Sequence, residues 1–208
     1  MSALARFFAA HGSAVSGYDR TESALTRELS ELGMKIHYQD RPDLVPEDAD
    51  LVVYTPAIPA DLEELKKCRE LKLKLRKRSE VLELITESSL NVCIAGTHGK
   101  TTITTMTAHL LRDSGFGSNA FLGGIAVNYN SNFWSSEKNI CVVEADEYDR
   151  SFLKLYPNIA VITAMDPDHL DIYGDALSME QAFIDFSDQV REGGLLVTHA
   201  TLKRGKEL

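Results

Sequence analysis

The sequence predicts an α/β protein: a Rossmann-like parallel-sheet domain followed by an α/β domain built around a phosphate-binding loop. Three observations carry this prediction. Short apolar, β-prone runs alternate with helical patterns of about ten residues, the signature of βαβ units and parallel strands. A glycine loop at 94–102 stands between such a run and a helix. An amphipathic stretch at 78–87, closed by the polar pair Ser88-Ser89, separates the first set of runs from the second. The expected domains are therefore 1–88 and 89–208.

In chain order, residues 1–11 read as a helix with Leu4, Phe7 and Phe8 on its apolar face, and Gly12 to Gly17 as a short strand. A loop at Tyr18-Asp19-Arg20 leads to a helix over 22–32 and a strand over 34–37. A third strand over 51–54 ends at Thr55-Pro56 and precedes a helix over 61–70. The cation-rich 66–78 stretch, with leucines at 71, 73 and 75, reads as a helix end and a half-exposed strand, or as a phosphate-contacting patch. A doubly wound domain normally opens on a buried strand and a glycine turn, so the chain is expected to lack its first strand. Asp19, just after a strand, is either a ribose-facing acid or a turn residue.

The second set begins with the run Leu90-Asn91-Val92-Cys93 and the loop Ile94-Ala95-Gly96-Thr97-His98-Gly99-Lys100-Thr101-Thr102. The helix after it extends to about Ser114, where Gly115 stops it. Next come 118–122, a turn at Gly123-Gly124, a polar stretch around Asn128 to Asn132, and strands over 140–143 and 159–163. Ser178 is the expected cap of a helix to about Val190, with Glu180 and Gln181 in its first turn. A strand over 195–198 follows. No repeat or low-complexity tract interrupts the pattern.

Composition restricts the function classes. At 208 residues, with 44% hydrophobic and 25% charged content, the chain can bury a proper core and is not of disordered type. A net charge of -9 argues against a general nucleic-acid or anionic-membrane surface, so phosphate affinity must be local, made of loop amides and a few cations. No apolar run spans a bilayer and the first residues are not a signal peptide, from which a cytoplasmic location is expected. Cys68, Cys93 and Cys141 form no C-x-x-C pair. Cys93 and Cys141 lie in apolar runs and are expected to be small buried thiols.

The loop Gly96, Thr97, His98, Gly99, Lys100, Thr101, Thr102 carries the chemistry. Backbone N–H groups at a helix N-terminus face an anion, a lysine neutralises phosphate oxygens, and a threonine hydroxyl can ligate Mg²⁺. The spacing is shorter than the usual Walker A, since Ile94 stands where its first glycine would be. Glu144-Ala145-Asp146-Glu147-Tyr148-Asp149 follows an apolar strand, and four acids in six residues repel one another unless a cation neutralises them. Asp166-Pro167-Asp168-His169-Leu170-Asp171 occupies the matching end of the next strand, with acids able to orient His169. Three strand ends carrying Lys/Thr, Glu and His could together hold a nucleotide and divalent cations. The part played by His98 stays open between phosphate orientation and packing.

These three motifs resemble the ATP-binding motifs of the Mur ligases, the ATP-dependent amide-forming enzymes of peptidoglycan precursor synthesis. The resemblance covers essentially the whole chain. It implies a UDP-sugar-binding first domain, an ATP-binding central domain and a C-terminal domain, with this chain truncated at both ends, its central domain incomplete and no ligase activity in the fragment alone. His98 resembles the branch that holds the alanine-adding and murein tripeptide recycling ligases. Asp168-His169-Leu170-Asp171-Ile172-Tyr173-Gly174 and the short spacing from Glu144 favour the alanine-adding enzymes, whereas Glu147-Tyr148-Asp149 is shared with the recycling branch. Ala164 departs from the family's usual asparagine. The implied substrates are UDP-N-acetylmuramate, L-alanine and ATP, with Mg²⁺ as cofactor. Lys100 is implied on the β/γ-phosphates, and Thr101, Glu144 and His169 as metal ligands. A P-loop module that only binds nucleotide is the alternative for the fragment.

Overall fold

A computed structural model describes the backbone of residues 1–208 and all side chains except that of Asp149. The chain forms two compact units, Met1–Val81 and Leu82–Leu208. The fold class is the predicted one.

In the first unit, α1 (Ser2–Ala10), β1 (Ser16–Tyr18), α2 (Ala24–Glu31), β2 (Lys35–His37), β3 (Val52–Tyr54), α3 (Glu63–Glu70) and β4 (Leu75–Lys77) follow in order. β1 pairs with β2 in parallel, Ser16 opposite Lys35, and β3 with β4 in parallel, Val52 opposite Leu75. Strands three residues long expose much of their backbone edge, so this unit is held mainly by its helices. Leu4, Leu29, Met34, Leu65 and Cys68 are buried. Ser23 and Thr26 cap α2 reciprocally, each side chain taking the other's backbone N–H, which satisfies two of the donors a helix start leaves open. Arg6 ties α1 to α2 through Glu28 at 2.6 Å.

Helix α4 (Arg78–Glu87) carries the division between the units. The second unit then contains β5 (Leu90–Ala95), α5 (Lys100–Asp113), β6 (Asn119–Ala126), β7 (Ser131–Trp134), β8 (Ile140–Glu144), a 3₁₀ segment (Tyr148–Lys154), β9 (Ile159–Ile162), α6 (Leu170–Tyr173), α7 (Ala176–Ser187) and β10 (Leu195–Thr198). Its sheet has the order β10-β9-β5-β8-β6-β7, parallel except for the antiparallel edge strand β7. Strands covered on both faces read as nearly unbroken apolar runs, and Cys93, Ile94, Ala95, Val142 and Val143 are accordingly inaccessible. Phe152 packs edge-on against Phe183 and tilted against Phe186 of α7, with centroids 5.3 and 5.2 Å apart. Each such ring contributes about 1.5–3 kcal/mol by burial.

Two sequence expectations are corrected here. Gly123-Gly124 is not a turn: β6 continues through it, with a register shift against β7 between Phe121 and Ala126, and the polar stretch after it returns as β7. Helix α7 is capped not by Ser178 but by Asp175, whose carboxylate accepts from the Ser178 N–H, so the helix starts earlier than expected and ends at Ser187.

β5 is central, with β9 on one side and β8 on the other. Ile94 lies opposite Glu144, and Ala95 opposite Ile162. The three loops that leave the C-terminal ends of these strands are therefore neighbours, at the edge where open α/β sheets take ligands.

Candidate functional site

The loop after β5 is shaped by its glycines. Gly96 has φ 131°, and a Cβ there would collide with Thr163 Oγ1 and stand 2.9 Å from the Ala164 nitrogen, so only glycine allows the β9 end to approach. Backbone and hydroxyl groups then fasten the two loops together. Thr97 N–H donates to the Ala164 carbonyl at 3.1 Å, Asp166 N–H donates to Thr97 Oγ1 at 3.1 Å, and the Thr163 hydroxyl donates to the carbonyls of Ala95 and His98. Since Ala164 acts here through its main chain, this contact does not depend on its side chain. Gly99, at φ 77°, is the N-cap of α5 and supplies no capping side chain. The start of α5 thus presents backbone amides and the positive end of its dipole to the loop.

Lys100 Nζ donates to the Gly96 carbonyl at 2.8 Å and to Glu147 Oε1 at 2.7 Å. Glu147 is completely buried, and its second oxygen has no hydrogen-bond partner among the described residues. His169 Nε2 lies 3.7 Å from the same Glu147 Oε1 and 3.9 Å from Asp168 Oδ2, with the Tyr148 ring edge-on at 5.5 Å. His169 itself sits at φ 48°, as the N-cap of α6.

Thr101 Oγ1 donates to Glu144 Oε1 at 3.0 Å, while Glu144 Oε2 accepts from the Gly123 N–H at 2.9 Å. A Cβ on Gly123 would stand 2.6 Å from the Glu144 carboxyl carbon, so the glycine in β6 makes room for that carboxylate. The structure thus brings the predicted residues together as two groups: Lys100 and His169 around Glu147, and Thr101 on Glu144. Thr102 is exposed on α5, and His98 and Asp166 face each other at 3.7 Å, both largely exposed. The side chain of Asp149, counted in the acidic run, lies outside the described residues. Asp19 belongs to the first unit, where it accepts from the Thr21 N–H at 3.1 Å as a turn residue does.

Among the described residues no cluster of three or more His, Cys, Asp or Glu side chains is gathered as a metal cage. A hydroxyl and a carboxylate 3.0 Å apart are nonetheless the hard oxygen donors that suit Mg²⁺, which keeps several waters and takes only one or two protein carboxylates. Burial pushes the thiols of Cys93 and Cys141 above the ordinary range, which leaves them as inert packing groups. The special position of Glu147 was not visible in sequence. Only its place in a run of acids could have pointed to it; what singles it out is that its side chain is fully buried, while the Tyr173 hydroxyl donates to its backbone carbonyl at 2.6 Å.

Comparison with known proteins adds the family. The profile described as Mur ligase family, catalytic domain, matches residues 1–89, and that of the Mur ligase middle domain matches residues 94–208. The chain is 50% identical over 196 residues to a UDP-N-acetylmuramate--L-alanine ligase of Flavobacterium psychrophilum, covering 92% of this chain and 44% of that protein. Its identity to the ligase of the same name from Phocaeicola vulgatus is 47% over 214 residues, covering 100% of this chain and 46% of the other. The chain spans about half the length of the curated relatives it matches. Among solved structures it is similar to the UDP-N-acetylmuramate-alanine ligase MurC of Thermotoga maritima, with TM-score 0.86 and 32% identity over 97% of this chain and 46% of that one. The UDP-N-acetylmuramate:L-alanyl-gamma-D-glutamyl-meso-diaminopimelate ligase of Neisseria meningitides gives TM-score 0.84 and 25% identity, covering 97% of this chain and 68% of that one.

Proposed function

The chain belongs to the Mur ligase family, and from that premise we propose that it forms the nucleotide-binding part of an ATP-dependent ligase joining L-alanine to the carboxylate of UDP-N-acetylmuramate. The observation that carries the reading is the meeting of three strand-end loops, with Lys100 and His169 on one carboxylate and Thr101 on another.

A carboxylate does not condense with an amine at neutral pH, because oxide would have to leave. Phosphorylation by ATP turns it into an acyl phosphate, which the amine attacks with phosphate as the leaving group. Such phosphoryl transfer asks the protein chiefly for positioning and charge neutralisation. In this chain Lys100 meets the β/γ-phosphates, the loop amides from Gly96 to Thr101 line the phosphate chain, and Thr101, Glu144 and His169 would hold Mg²⁺. When bound, the ion would neutralise charge on the nucleotide and on the acceptor carboxylate. Gly123 keeps Glu144 aimed at Thr101, and the Thr163 clamp keeps the loop in place.

The substrates are tested by phosphate release from ATP and UDP-N-acetylmuramate, using the chain completed to the length of its relatives. Release that depends on L-alanine is the expected result. Release that depends on L-Ala-D-Glu-diaminopimelate would assign the recycling reaction instead, the reading favoured by the likeness to the Neisseria ligase. No helix among the described residues is long and apolar enough to cross a membrane.

A further inference from the structure

Glu147 takes none of the roles assigned to Lys100, Thr101, Glu144 and His169, yet it is the acid on which two of them converge. Its Oε1 accepts from Lys100 Nζ at 2.7 Å and lies 3.7 Å from His169 Nε2. Its carboxylate is wholly removed from solvent, which is costly for an ion unless a strong partner compensates. Its Oε2 has no hydrogen-bond partner among the described residues, so the carboxylate keeps unused acceptor capacity beside the loop. The backbone at this point is fixed independently, since Tyr173 holds the Glu147 carbonyl at 2.6 Å. The side chain is therefore placed from behind and aimed at the loop.

We infer that Glu147 is the buried counter-charge of the phosphate loop, a positioning residue that holds Lys100 against the loop before a nucleotide arrives and gives the cation up in part to phosphate on binding. The inference rests on the nucleotide-binding reading of the site. Its consequence has an unusual sign. A buried negative charge one lysine away from a polyanion opposes ground-state binding, so removing the charge while keeping the shape should strengthen nucleotide binding. A purely structural ion pair predicts the reverse, because its loss loosens the loop.

The experiment is calorimetric titration of ATP and ADP, with and without Mg²⁺, into the 208-residue chain and its Glu147→Gln variant. Glutamine keeps the length and an oxygen acceptor for Lys100. Binding tighter by about 3- to 10-fold in the variant is expected from the removed repulsion. A second measurement needs no change at Glu147: in the wild-type chain the lysine side-chain NMR signal of Lys100, assigned through Lys100→Arg, should move on titration with ADP as the ammonium passes from carboxylate to phosphate. Equal or weaker nucleotide binding by Glu147→Gln, or a Lys100 signal that stays still while nucleotide binds, overturns the inference alone. A wild-type chain that binds neither ATP nor ADP overturns the nucleotide-site reading itself, and the inference with it.

Discussion

Glu64 of the first unit and Glu147 of the second are both buried beside a basic group, and the two are finished differently. In the first unit Glu64, 9% exposed, accepts from His37 Nε2 at 2.7 Å and from the Arg41 N–H at 2.8 Å, fastening the end of β2 and the segment after it to α3. Asp40 completes that corner by accepting from the N–H groups of Glu63 and Glu64 at the start of α3. In the second unit Glu147 is more deeply buried and less well satisfied, and its cation points into a glycine loop with backbone donors around it. A buried acid whose donors come from its own scaffold staples the fold. Glu147 instead takes its donor from the lysine of a phosphate-type loop and leaves an oxygen without a hydrogen-bond partner among the described residues, next to where a ligand would enter.

The sharpest way to break this contrast is Lys100→Ala. It leaves Glu147 buried without its cation, and the stability loss is expected to be about 3–5 kcal/mol, read from denaturant unfolding. Nucleotide affinity should fall with it, and in the completed ligase turnover should drop at least ~100-fold, as for loss of a transition-state charge contact. Near wild-type phosphate release would remove Lys100 from the phosphate site. Glu64→Ala is the counterpart. It strands the Arg41 N–H and the His37 ring, costing about 1–3 kcal/mol in the same unfolding measurement. Nucleotide affinity should stay unchanged, and a weaker affinity would mean that the first corner is more than a staple.

The smallest effect tests an exposed acid against these buried ones. The hydrogen bond from the Ser178 backbone holds the Asp175 carboxyl below the usual carboxylate range. A carboxyl depressed in the folded state adds stability above its unfolded pKa and loses it as pH falls through the folded one. Asp175→Ala should therefore melt below wild type at neutral pH, with the gap closing below about pH 4, where carboxylates protonate. A gap that is the same at pH 3 and pH 7 would rule out the charge-assisted cap.

The parts of the fold that were legible in sequence are those set by local chemistry. β5, β8 and β9 are apolar runs followed by loops of distinct composition, and α4 occupies the residues its pattern predicts. The pair Gly123-Gly124 reads as a turn because glycines ordinarily break strands. Here one is retained so that the strand can pass Glu144, a reason that exists only once β6 and β8 are side by side. β7 is not legible because it is four residues long and its Ser131-Asn132 start looks like loop. Lys100, Thr101, Glu144 and His169 stood out as types at strand ends. That Lys100 and Thr101 would meet different carboxylates depends on side-chain direction, which no spacing rule encodes. Glu147 cannot be told from Asp146 in a run of acids, because its burial and its pairing with Lys100, 47 residues earlier, exist only in the folded chain.

The level pairing of the central strands has one more consequence. With Ile94 opposite Glu144 and Ala95 opposite Ile162, the hydrogen-bond ladders act as a ruler graduated in steps of about 3.3 Å. A slip of β8 by one graduation would carry Glu144 farther than the 3.0 Å that separates it from Thr101 and turn it to the opposite face of the sheet. The inaccessible apolar residues Val142 and Val143 make that slip costly, since a displaced strand must re-seat its whole apolar set. The placing tolerance of the exposed polar site is thus inherited from the dry interior of the sheet behind it.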